Sequence, residues 1–82
     1  MPYITQQARE ELATGLVFPR SAGELNYALT KTIVQYLKDK GKSYATINDI
    51  LGALEGAKLE FYRRVADEYE NTKIWDNGDV YD

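Results

Sequence analysis

Residues 46–70 read TINDILGALEGAKLEFYRRVADEYE. Within them Ile47, Ile50, Leu51, Leu54, Phe61, Val65 and Tyr69 recur at the helical period of about 3.6, which sets them on one stripe. Thr46-Ile47-Asn48-Asp49 has the spacing of a capping box, in which a hydroxyl and a carboxylate three residues apart satisfy the first free N–H groups. These features predict a helix over about 46–70, the longest of the chain.

Upstream, Gly41-Lys42-Ser43 is a connection too short to join anything but close neighbours. Ser21-Ala22-Gly23-Glu24 before it repeats the capping-box spacing. Leu25, Leu29, Thr32, Ile33 and Tyr36 follow on one stripe, and Lys38, Lys40 and Gly41 supply a favourable helix end. A second helix is therefore expected over about 22–40. Two helices with so short a joint predict an antiparallel hairpin. Thr5 begins a shorter helix to about Ala13, which Gly15 and Pro19 end and which covers one open side of the pair.

Downstream, Asn77-Gly78 between the short apolar runs Ile74-Trp75 and Val80-Tyr81 has the type I′ turn signature and predicts a small β-hairpin or extended tail over 73–81. The expected class is thus mainly all-α in one domain of 82 residues. Area scaling for this length leaves only roughly 60–65% of the unfolded surface buried. So thin a core, with no cysteine to staple it, favours association with further copies.

The absence of both Cys and His excludes disulfides, thiol nucleophiles, Cys/His zinc sites and Ser-His or Cys-His catalysis. No ligand spacing marks a metal, no phosphate-cradling loop marks a cofactor, and the expectation is a non-enzyme without either. No apolar run approaches a membrane span and no basic-then-apolar leader opens the chain, so a cytoplasmic, membrane-free protein is expected. Residues 67–82 hold six acids and one base, Lys73. That end argues against wholesale nucleic-acid binding, which needs clustered cations.

Lys58 falls inside the apolar stripe with Glu55 one turn earlier and Tyr62 one turn later. One reading packs its stem and lets its head reach water beside Glu55. The other makes Glu55, Lys58 and Tyr62, with Asn26 of the second helix, the lining of a polar pocket. Arg63 and Arg64 sit in a run of i,i+3 and i,i+4 pairs that suits a solvated face, but a free guanidinium there would grip a phosphate or carboxylate. Tyr27, Val34 and Lys31 lie away from the second helix's stripe, as a binding or subunit face would. Gly52 and Gly56, with Leu59 beside them, stand opposite the long stripe. Interior glycines cost roughly 1 kcal/mol each relative to alanine, which close approach of another backbone would offset. That backbone belongs either to a partner or to the chain's own C-terminal tail, and Trp75 joins the candidate interface.

The segments Gly23-Glu24-Leu25-Asn26-Tyr27, Tyr44 through Asp49, Gly52 through Arg64, and Asn77-Gly78-Asp79-Val80-Tyr81 resemble a family of small uncharacterised proteins of bacteriophages, prophages and bacteria. The resemblance implies no activity. Its phage association implies a compact non-enzymatic protein that blocks a host enzyme or sequesters a host signalling molecule, in the host cytoplasm. The leading expectation is a homo-oligomer holding an anionic, nucleotide-like small molecule through Asn26, Tyr27, Lys31, Lys58, Tyr62, Arg63 and Arg64. A module for binding a host or phage protein through the Gly52/Gly56 face is the alternative, and an enzyme built on Glu55 and Lys58 is the least favoured.

Overall fold

The structure, a computed structural model, describes residues 4–81. Met1–Tyr3, part of the leader reading, and Asp82, one of the terminal acids, lie outside it. Every element in the described residues is helical: α1 (Gln6–Ala13), α2 (Ala22–Lys40), α3 (Tyr44–Phe61), a π-helical turn (Tyr62–Ala66) and α4 (Asp67–Asn77). The chain divides into two compact units, Met1–Thr46 and Ile47–Asp82.

In the first unit the helix ends follow from local chemistry. The Thr5 hydroxyl accepts a hydrogen bond from the Ala8 N–H at 3.1 Å and opens α1. The Ser21 hydroxyl does the same for the Glu24 N–H at 3.1 Å and opens α2. Gly41 closes α2 at φ 87°, a conformation that costs any residue with a Cβ, while its N–H reaches the Leu37 carbonyl. α1 packs against α2, and Ala8 is buried. Gly23 lets Ile4 rest on the first turn of α2, where an added Cβ would meet the Ile4 Cγ2 at 3.2 Å.

The start of α3 differs from expectation by two residues. Its cap is Ser43, whose hydroxyl accepts from the Thr46 N–H at 3.1 Å and donates to the Thr46 hydroxyl at 3.1 Å. Thr46 stands inside the first turn and is buried. Ser43 wins because capping there adds helical residues at both Tyr44 and Ala45 while Thr46 still finds a partner for its hydroxyl.

The second unit is one helix with a defect in it. At Asp67 the N–H bonds back five residues to the Tyr62 carbonyl, so the helix takes in an extra residue and continues as α4. One residue is about 100° of helical rotation. Ile74, which on an unbroken helix would stand opposite Ile47, is thereby turned toward the apolar stripe, and Trp75 is turned to the side that carries Gly56.

The expected β-hairpin is corrected: Lys73–Asn77 is helical, and there is no strand among the described residues. Asn77-Gly78 is the helix stop, with Gly78 at φ 91° and its N–H on the Ile74 carbonyl at 2.8 Å. An Asn-Gly pair suits a helix terminus as well as a hairpin turn, because both need a residue at positive φ.

The apolar stripe of this helix is open. Leu51 is 59%, Leu54 38%, Phe61 63% and Val65 52% exposed. Among described residues 47–81 none is buried, and all but Ile50 and Ala66 are exposed. A helix of this kind draws most of its stability from packing its amphipathic face.

Candidate functional site

The first unit holds a cleft of about 360 Å³ between the end of α1, the segment that follows it, and α2. Its formation follows from the α1 stop. Gly15 at φ 75° and Pro19 turn the chain back so that Leu12, Val17 and Pro19 make an apolar wall over α2. Successive turns of α2 place Tyr27, Lys31 and Gln35 on the opposite wall. Tyr27 is half-buried, and Lys31 is exposed at the rim without a carboxylate in ion-pair range among the described residues. An apolar wall, an aromatic ring and one unpaired cation converge, as they do where a flat anionic molecule is bound.

The mouth of this unit is braced by Arg20. Its guanidinium pairs with Glu11 of α1 at 3.1 Å and Glu24 of α2 at 3.1 Å, tying the two helices together across the loop. Glu24 also accepts from the Arg20 backbone N–H at 3.0 Å. Its carboxyl is consequently held below the usual carboxylate range, first by that backbone N–H and then by the guanidinium. The Arg20 guanidinium is pushed still higher, mainly by its hydrogen bond to Glu11 and then by that to Glu24.

The polar residues anticipated from the sequence fall in two separate groups. Asn26, Tyr27 and Lys31 lie on α2; of these, Tyr27 and Lys31 line the cleft, while the Asn26 side-chain oxygen accepts from the Thr30 hydroxyl at 3.3 Å. Glu55, Lys58, Tyr62, Arg63 and Arg64 lie on the second unit. Lys58 pairs with Glu55 at 3.6 Å, its side chain 74% exposed. Arg63 pairs with Glu60 at 3.2 Å, and Arg64 pairs with the same carboxylate. Both guanidiniums are thus engaged with a carboxylate of their own helix. Tyr62 opens the π turn and is exposed.

Among the described residues nothing comes within 4 Å of where a Cβ on Gly52 or Gly56 would sit. Leu59 and Trp75 are exposed, Trp75 at 89%, and Val34 is half-buried on α2.

The sequence reading passed over Leu12, Val17, Pro19 and Gln35. Leu12 followed by the Gly15–Pro19 break was the available signal, because a chain reversing so soon after α1 has to lay its apolar residues back over α2. Among the described residues no three potential metal ligands gather, and no helix is long and apolar enough to cross a membrane.

The fold and cleft define a mainly helical protein with a small, mainly apolar cleft on one unit and an open amphipathic helix on the other. The chain belongs to the family described as Domain of unknown function (DUF6899), whose model matches residues 1–80. Neither a curated protein nor a solved structure matches it.

Proposed function

We propose that the chain is a non-enzymatic, homo-oligomeric binding protein of phage or bacterial origin that sequesters an anionic, nucleotide-like small molecule in the cytoplasm. The observation that carries this reading is the cleft of α1 and α2, where the Tyr27 ring and the uncommitted Lys31 ammonium face the apolar wall of Leu12, Val17 and Pro19. The ring stacks on a base and the ammonium takes a phosphate. Lys58, Arg63 and Arg64 each already have a carboxylate, which makes Lys31 the primary cation of the proposed site. With no His or Cys in the chain, binding without turnover is the simplest chemistry for such a cleft.

The open stripe of the long helix supports assembly. A second copy laid on that stripe would bury the apolar face that the second unit leaves open.

The test is calorimetric titration with a panel of mono-, di- and cyclic nucleotides. Lys31→Ala is expected to weaken binding roughly tenfold to a hundredfold, the worth of one charge-assisted hydrogen bond, with the helical circular dichroism unchanged. Unchanged affinity in Lys31→Ala contradicts the assignment.

A second reading is favoured by the exposure of Trp75, Val80 and Tyr81 at the C-terminal end. Such aromatic and branched side chains beside an acidic segment suit a protein-binding module. A host or phage protein retained by the wild type and lost with Trp75→Ala would support it.

A further inference from the structure

The helix running from Tyr44 to Asn77 carries an apolar face that the described residues of the second unit leave exposed. We infer that a second copy of the same helix docks on this face in antiparallel orientation, with Ile47 at the level of the partner's Val65 and Leu51 at the level of the partner's Phe61. This rests on the homo-oligomer reading above and adds to it the surface and the orientation.

Charge distribution selects the occupant and its direction. Residues 44–64 of the helix carry Asp49, Glu55 and Glu60 against Lys58, Arg63 and Arg64, and are balanced. Residues 65–77 carry Asp67, Glu68, Glu70 and Asp76 against Lys73 alone. A parallel pair would lay these acidic segments side by side, level for level, where like charges repel. An antiparallel pair in this register brings Asp67 and Glu68 to the levels of the partner's Ala45 and the partner's Tyr44, at the start of α3. There the N–H end of the helix dipole and Lys42, two residues ahead of Tyr44 in the chain, supply positive potential. A chain with both a neutral and an acidic half on one helix is in this way complementary to its own reverse.

The apolar positions agree with that direction. Ile47, Leu51, Leu54, Phe61 and Val65 are arranged nearly symmetrically about Gly56, so reversing the helix superimposes large side chains on large ones. Lys58 then meets the level of the partner's Leu54, where its four-carbon stem lies along the seam and its head leaves toward Glu55.

The chain has no cysteine, so each introduced one is a unique reporter. Ile47→Cys and Val65→Cys are prepared separately, one with a longer tag, and oxidised alone and as a mixture. Leu51→Cys with Phe61→Cys serves as a second pair should the first disturb folding. The expected result is a mixed cross-linked dimer, with loss of that product when either variant is oxidised alone. Self-cross-linking of each variant alone means a parallel seam and overturns the inference. An oligomer by sedimentation velocity that yields no mixed product in either pair places the contact elsewhere and also overturns it. A wild-type chain that sediments as a monomer overturns the homo-oligomer reading itself.

Discussion

Glu24 accepts three hydrogen bonds from a single residue, Arg20, from its backbone N–H at 3.0 Å, its Nε at 3.1 Å and its Nη2 at 3.5 Å. The same guanidinium reaches Glu11 on α1. One arginine therefore closes the loop between the two helices whose junction makes the cleft, and does so through a carboxylate held below its usual pKa.

That shift sets a pH dependence. A carboxyl lowered in the folded chain contributes stability above its ordinary value, and the contribution disappears as pH falls through the folded value. The wild type should therefore exceed Glu24→Gln in urea midpoint at neutral pH, and the difference should vanish on acidification below the usual carboxylate range. Midpoints followed by circular dichroism at several pH values check this, and a gap independent of pH would contradict it.

Ser43 and Thr46 give a second test, because the sequence favours one as the cap of α3 and the structure uses the other. Ser43→Ala should lower stability by about 1 kcal/mol, as the loss of an N-cap does. Thr46→Val, which keeps the buried volume, should cost less than half of that, about 0.5 kcal/mol or below. Chemical denaturation of both variants decides it, and the reverse order would restore Thr46 as the cap.

The glycines divide into two kinds. Gly41→Ala places a Cβ at φ 87° and should cost about 1 kcal/mol or more. Gly56→Ala, in open helix, should stabilise by roughly 0.5–1 kcal/mol. Thermal melts distinguish these signs. Destabilisation or dissociation in Gly56→Ala would mean that another backbone approaches this face, as a Gly52/Gly56 interface requires.

The helices were largely legible in the sequence because their ends are written in local chemistry. Thr5 and Ser21 cap where a hydroxyl precedes an apolar period, and Gly41 stops α2 where a positive φ is needed. Local chemistry also misled where one signal serves two geometries. Asn77-Gly78 fits a hairpin turn or a helix stop, and the backbone bond from Gly78 to Ile74 decides between them. The π turn has no residue-type signature at Tyr62–Ala66, so the rotation it imposes on Ile74 and Trp75 could not be read from an ideal wheel. In the proposed site, Tyr27 and Lys31 were visible as polar outliers of the α2 stripe. The wall facing them depends on how the Gly15–Pro19 segment folds back, which spacing alone does not encode.

Native mass spectrometry of the protein purified gently from cells tests the central proposal most directly, since one spectrum reports both subunit number and any retained small molecule. A homo-oligomeric binding protein predicts an oligomer carrying added mass in the range of a nucleotide, lost in Lys31→Ala. A bare monomer would contradict both the assembly and the sequestering role.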